Sequence, residues 1–224
     1  NNYGQLGDQT NIDKHLPTPV GTGTNWSAIA AGGKHTLGLK TDNTLWAWGL
    51  NDSGQLGDGT TTNRNIPTPV GTGADWTAVA AGQNHTLAIK TDGTLWAWGL
   101  NNYCQLGDGT SVLKTVPTPV GAGTGWSAIA AGTNQTVALK TDCTLWVWGW
   151  NDSGQLGDGT LTNYKNIPTQ VTGTNWSAIS VDQGYTLALK TDGSAQPPVR
   201  TLWVWGVNAK GQLGDGTTTN RNTP

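Results

Sequence analysis

Between residues 75 and 99 apolar and polar side chains alternate with period two, in short runs separated by polar, glycine-bearing phrases. In DWTAVAAG (75–82), Trp76, Ala78 and Ala80 alternate with Thr77, Val79 and Ala81. In HTLAIK (85–90), His85, Leu87 and Ile89 fall on one face and Thr86, Ala88 and Lys90 on the other. Asp92-Gly93 reads as a two-residue type I′ hairpin turn. TLWAWG (94–99) then runs back, with Trp96 and Trp98 on one face and Leu95 and Ala97 on the other. This predicts three consecutive antiparallel strands. A further extended piece, IPTPV (66–70), has two prolines that place it at a sheet edge or a strand start. The Ala-rich strand is expected nearest a central axis, where small side chains fit a tapering space.

The same phrases return every 50 residues: Trp26, Trp76, Trp126 and Trp176 open NWSAIAAG, DWTAVAAG, GWSAIAAG and NWSAISVD. The chain reads as one array with units at about 1–50, 51–100, 101–150 and 151–207 and a partial unit at 208–224. A strand with large apolar groups on both faces must be covered on both, which a single sheet in water cannot achieve. Radial stacking of small sheets can, so the fold class expected is all-β, a β-propeller. A parallel β-solenoid fits less well, because the Asp-Gly turns imply antiparallel hairpins. Burying one Trp removes about 150–250 Å² from water, roughly 4–6 kcal/mol gross as an upper bound. Tryptophan is therefore the expected adhesive between blades.

Composition narrows the picture. The 224 residues include 33 Gly, 10 Pro and 13 Trp, and every acidic residue is Asp, a turn former, rather than Glu, a helix former. The net charge of −2, with the basic residues spread along the chain, gives no footprint for nucleic acid. No apolar stretch reaches the roughly 18 residues of a membrane span. Because residue 1 is not Met, the chain is expected to be processed or part of something longer.

Candidate chemistry is sparse. His35 and His85 correspond to Gln135 and Tyr185, a set that suits a buried hydrogen-bonding position better than a metal or catalytic ring. Asp52/Asp58 and Asp152/Asp158 lack the alternating spacing of a calcium loop and are read as turn formers. Lys40, Lys90, Lys140 and Lys190 are read as solvated lysines near an Asp. With no phosphate loop, nucleophile elbow or Cys/His cluster, neither an enzyme nor a cofactor is expected. Cys104 and Cys143 replace glycines of other units (Gly54 and Gly154; Gly93 and Gly193). If those sites need positive φ, each Cys costs about 1 kcal/mol unless a disulfide between them offsets it; their placement in different loops weighs against that bond.

NDSGQLGDGT (51–60), IPTPV (66–70), AAGQNHTLAIK (80–90) and TLWAWG (94–99) together resemble the regulator of chromosome condensation repeat, and the match covers nearly the whole chain. The resemblance implies a propeller, usually seven-bladed, whose sequence units are offset from its blades. Four units cannot fill such a ring. A fragment or a smaller ring is expected rather than an open arc, which would expose apolar blade faces; a second copy or a longer parent chain is the alternative way to complete it.

Function is expected where the period fails. The insertion at 194–200 (SAQPPVR) projects from a hairpin tip, and Gln196, Pro197, Pro198, Val199 and Arg200 are the first choice of partner contact. Trp150 replaces Leu50, Leu100 and Val207 just after a strand and is expected to be exposed. The leading reading is a non-enzymatic protein-binding or structural module. Its Thr/Asn/Gly-rich, Glu-free composition is similar to bacterial secreted or cell-surface arrays of this repeat. The resemblance also implies two alternatives: a nucleotide-exchange factor for a small GTPase, which in the nuclear members uses a wedge-like insertion, and a propeller-type enzyme inhibitor. The latter would need an exposed aromatic patch, for which Tyr3, Tyr103, Tyr164 and Trp150 are available.

Overall fold

A computed structural model describes residues 1–194 and 197–224. The described residues form strands and loops without a helix. Blade one consists of β1 (Trp26–Ala31), β2 (His35–Lys40), β3 (Leu45–Gly49) and β4 (Arg64–Pro69), an antiparallel meander paired in that order. Blade two repeats it with β5 (Trp76–Ala81), β6 (His85–Lys90), β7 (Leu95–Gly99) and β8 (Lys114–Pro119). Blade three has β9 (Trp126–Ala131), β10 (Gln135–Lys140), β11 (Leu145–Trp150) and β12 (Tyr164–Gln170). Blade four has three strands, β13 (Trp176–Val181), β14 (Tyr185–Asp192) and β15 (Val199–Gly206), plus an isolated bridge from Gly206 to Arg221. Each outermost strand thus comes from the sequence unit after the one that supplies the other three.

The Ala-rich strands β1, β5, β9 and β13 lie against one another, as expected of the innermost position. Their strict alternation breaks once per blade, at a bulge after the opening tryptophan (Trp26/Ala28, Trp76/Ala78). The residue at the bulge is always Ser or Thr, and its hydroxyl donates across the pair: Ser27 to the Leu39 carbonyl at 3.1 Å, Thr77 to that of Ile89 at 3.1 Å. The proline strands sit at the outer edge, with Pro69 opposite Trp46, where a missing N–H costs no ladder bond.

Each blade presents a leucine face to the next blade and a tryptophan face to the one before. At the first junction Leu37, Leu39, Leu45 and Ala47 meet Trp76, Ala88 and Trp98, with Leu56 and Val70 of the connecting segment packed between them. The second and third junctions repeat this with Leu87, Ile89, Leu95 against Trp126 and Trp148, and Val137, Leu139, Leu145 against Trp176 and Trp205. Three junctions join four blades into an open arc. The smaller closed ring does not form: Ile29 on the first tryptophan face is 78% exposed and Leu202 on the last leucine face 62%.

The hairpin tips also correct the sequence reading. Lys90 N donates to Thr94 O and Gly93 N to Lys90 O, so the loop has three residues, of which only Gly93 (φ 76°) is left-handed. That is a type I turn followed by a left-handed bulge residue rather than a type I′ pair. Asp92 stabilises it by accepting from Thr94 N at 2.9 Å and Thr94 Oγ1 at 2.6 Å.

Candidate functional site

The strands end on two opposite sides of the arc. One side holds the hairpin tips (residues 41–43, 91–93, 141–143) and the insertion; the other, the loop side, holds the turns after the inner strands and the NxxGQLGD loops. Trp150 ends β11 opposite Tyr164, on the loop side. The insertion joins β14 to β15 on the tip side. The structure therefore does not bring the two sequence-predicted contact regions together.

On the loop side Trp150 acquires aromatic neighbours. Tyr103 lies 5.8 Å away, ring centroid to centroid, at 42°. Tyr164 is its strand partner. Tyr103 is 41% and Tyr164 52% exposed, whereas Trp150, expected to be exposed, is half-buried, because its ring packs on Tyr103. The fourth unit makes this cluster possible. Gly154 to Ile167 is one residue longer than Gly54 to Ile66, the extra residue lengthens β12, and β11 correspondingly runs on to Trp150 where β3 and β7 stop at their glycine. That one-residue excess was the available signal. Rigid, amphipathic aromatics held on strand ends offer large contact area at small entropy cost.

On the tip side, β14 and β15 extend two pairs beyond the usual turn, Thr191 with Arg200 and Asp192 with Val199. Pro197, Pro198, Val199 and Arg200 are all exposed, whereas Gln196 lies outside the described residues. Because the strands run on, Gly193 is not left-handed, unlike Gly93 and Cys143 (φ 62°).

A disulfide is not formed. Cys104 (φ 60°) is a buried free thiol in a loop-side turn, and Cys143 is an exposed free thiol at a tip, so a strand's length separates them. Both occupy the left-handed region that their glycine counterparts use (Gly54 φ 75°, Gly154 φ 76°), so each carries the backbone strain unrelieved. Burial pushes the Cys104 thiol pKa up, with the nearby Asp108 carboxylate adding to it, which makes it a poor nucleophile.

The polar positions are used inside the scaffold. His35 Nε2 lies 3.0 Å from Thr86 Oγ1 and His85 Nε2 3.2 Å from Thr136 Oγ1, each across a blade junction. Since Thr86 Oγ1 donates to Gln55 O at 2.7 Å, the histidine must be the donor, which assigns the Nε2–H tautomer. Gln135 does the same work by donating to Asp182 O at 2.9 Å. Burial pushes the histidine pKa values down, to about 4 for His35 and about 3 for His85, where the neighbouring His35 adds to it, so both stay neutral. Asp58 accepts from Thr60 N, Thr60 Oγ1, Asn51 Nδ2 and Arg64, which leaves little of it for an ion. Among the described residues no three His, Cys, Asp or Glu side chains form a metal-sized group.

Two scaffold roles escaped the sequence reading. Asn51 and its counterparts Asn101, Asn151 and Asn208 are fully buried hubs: Asn101 Nδ2 donates to Asp108 and to the Thr110 and Val112 carbonyls, while its Oδ1 accepts from Leu106 N. Their regular recurrence in the chain was the signal. The lysines, read as solvated, instead lie over tryptophan. Lys40 Nζ is 3.8 Å from the Trp46 ring centroid and 5.2 Å from Trp26, its strand partner; Lys90 lies at 4.3 and 4.8 Å from Trp96 and Trp76. The second tryptophan of these units, Trp46, Trp96 and Trp146, is half-buried and carries a cation on its face.

Comparison with known proteins agrees with this architecture. The family model described as RCC1-like domain matches residues 1–224. No curated protein sequence matches the chain. Among solved structures, human WBSCR16 is 24% identical with a TM-score of 0.85 over 100% of this chain. Prp20p from Saccharomyces cerevisiae, described with its binding properties to Gsp1p and histones, is 22% identical with a TM-score of 0.85 over 97% of this chain. Yeast RCC1 (Prp20) bound to Kap60 gives 22% and 0.83 over 97%. At these identities the likeness concerns the fold. The chain spans 59%, 54% and 52% of those three structures' chains.

Proposed function

The chain belongs to the RCC1-like domain family, and we propose that it is a non-enzymatic protein-binding module whose contact surface is the loop side around Trp150, Tyr103 and Tyr164. The observation that carries this reading is the aromatic cluster itself. Trp150, at the end of a strand that the other blades stop one residue sooner, packs on Tyr103 of the preceding loop and stands opposite Tyr164, and both tyrosines are exposed. That the protein structures bearing this fold include one bound to Kap60 and one described with Gsp1p and histones agrees with a protein partner. The Glu-free, Thr/Asn/Gly-rich composition supports a secreted or cell-surface setting, which cell fractionation would test.

A second reading rests on the lengthened β14–β15 hairpin, which presents Val199 and Arg200 on the opposite side as a wedge toward a small GTPase. Affinity capture with wild type, Trp150→Ala, Tyr164→Ala and Arg200→Ala, with proteins identified by mass spectrometry, separates the two. Partners retained by wild type and Arg200→Ala but lost from both aromatic variants are expected. Partners lost only from Arg200→Ala, together with accelerated nucleotide exchange on a panel of small GTPases, would replace the first reading with the second.

A further inference from the structure

The units are so alike that their departures from the repeat mark what the scaffold does not require, and two departures leave polar groups unengaged at the surface. The first is on the loop side. Leu50 and Asp52 line a groove of about 190 Å³ between blades one and two, together with Lys34. Their counterparts one junction before the last are Trp150 and Asp152, and Lys34 is replaced there by Asn134. Asp152 therefore lacks the cation that shares a groove with Asp52. The nearby lysines do not supply one, since Lys114 is held by Asp108 at 3.2 Å and Lys165 by Asp158 at 3.0 Å. The indole is unengaged as well. Trp46, Trp96, Trp146 and Trp203 each donate Nε1 to a threonine hydroxyl two residues before them, whereas Trp150 has Trp148 at that position and its N–H donates to no described residue. Accessible rings with an unused donor and an unpaired carboxylate beside them are the chemistry that receives a proline-rich segment bearing a base. Proline rings pack on the aromatic faces with little entropy to lose, a backbone carbonyl accepts from the indole, and the base pairs with the carboxylate.

The second departure is such a segment. Pro197, Pro198, Val199 and Arg200 are exposed on the tip side, carried two residue pairs beyond the usual turn by Thr191 with Arg200 and Asp192 with Val199. The other tips, TDNT, TDGT and TDCT, have neither the prolines nor the arginine. Arg64 and Arg221 each pair with an aspartate at 2.7 Å, but Arg200 pairs with none among the described residues. Segment and aromatic cluster lie on opposite sides of the molecule, so they meet only between copies.

We infer that the loop side takes the tip segment of a second copy of this chain. Pro197 and Pro198 of one copy pack on Trp150 and Tyr103 of the next, and Arg200 pairs with Asp152. The contact rests on the loop-side surface assigned above as protein-binding and gives that surface its partner. Each side contributes what the other lacks: prolines for rings, a guanidinium for a carboxylate. Because the two surfaces differ, the contact is heterologous and stacks copies tip side to loop side. A segment of four residues makes a small interface, so association is weak and grows with concentration.

Analytical ultracentrifugation over a concentration series tests this with wild type, Trp150→Leu, Asp152→Arg, Arg200→Asp and the double variant Asp152→Arg/Arg200→Asp. Asp152 and Arg200 are exposed, and leucine is the residue that blades one and two use at the position of Trp150, so all four variants fold; thermal midpoints verify it. Wild type is expected to grow beyond one chain with concentration, while Trp150→Leu and each single charge reversal stay at the mass of one chain. The double variant, which restores opposite charges across the contact, is expected to assemble again. Wild type that stays at one chain, a single variant that assembles as wild type does, or a double variant that fails to recover would each overturn the self-contact. The protein-binding reading of the surface falls separately, if Trp150→Ala and Tyr164→Ala retain every partner in the affinity capture.

Discussion

Blades two and four have almost the same sequence in their third strands, TLWAWG and TLWVWG, and differ in what surrounds them. Leu95 in blade two is 1% exposed and its counterpart Leu202 is 62%; Trp96 is half-buried, and Trp203 is 36% exposed. Pairing within the sheet is the same in both, Ala88 opposite Trp96 and Ala188 opposite Trp203. Strand formation is therefore local to a unit, and burial is conferred by the neighbouring blade. A leucine in this repeat stabilises the fold only to the extent that another unit's tryptophan covers it.

The largest expected effect comes from substituting homologous positions in the two environments. Leu95 is 1% exposed in the junction between blades two and three, so Leu95→Ala is expected to cost about 2–5 kcal/mol. Its counterpart Leu202 lies at an open face, 62% exposed, and Leu202→Ala is expected to cost less than about 1 kcal/mol. Urea denaturation followed by tryptophan fluorescence measures both; equal costs would mean that blade four is covered.

Acid should act on the internal junctions. His35 and His85 are pushed down to about 4 and about 3, below the unfolded value of 6.5, so below pH 6.5 the unfolded chain binds protons that the folded chain does not. Stability is therefore unaffected above that pH and falls between pH 6.5 and about 4, by about 1.4 kcal/mol per pH unit for each histidine. Replacing His85 by Gln, the residue the next blade uses as Gln135, should remove one histidine's share of that slope. The measurement is urea midpoint against pH, and an unchanged slope would place the acid sensitivity elsewhere. Acid loss from the aspartates, whose pKa values are lowered chiefly by Thr hydroxyl hydrogen bonds as at Asp42 and Asp92, begins as the pH falls to the ordinary carboxylate value and runs down to the lowered one.

The smallest contrast lies at the tips of blades three and four. Cys143→Gly should stabilise by about 1 kcal/mol by relieving left-handed strain, whereas Gly193→Ala should be nearly neutral, because β14 and β15 run past the turn and Gly193 is not left-handed. Thermal midpoints of the two variants provide the comparison.

The blade itself was legible in the sequence. Period-two alternation, prolines at the edge strand and the return of Trp26 at Trp76, Trp126 and Trp176 led to stacked antiparallel sheets, because each signal acts within a few residues or repeats at fixed spacing. His35, His85 and Gln135 do form hydrogen bonds as the set suggested, but with partners in the next blade that no local signal names. The lysines were read in part: Lys90 does pair with an aspartate, Asp75 at 3.2 Å, but nothing beside Lys40 in sequence shows that its strand partner is Trp26. Trp150 was noticed as an irregularity, but its company was not. Tyr103 belongs to the preceding loop and Tyr164 reaches it through an added residue in the following unit.

What the amino-acid sequence determined alone was the unit: strand lengths, turn positions, and which side chains share a face. Backbone sterics and the alternation of side chains fix these over a few residues. Only the tertiary structure decided that each outermost strand is taken from the following unit, that Trp150 and the insertion lie on opposite sides, and that a leucine face meets a tryptophan face at every junction. Those outcomes depend on how strands pair across unit boundaries and how successive blades are rotated against each other, which the side-chain pattern within one unit does not record.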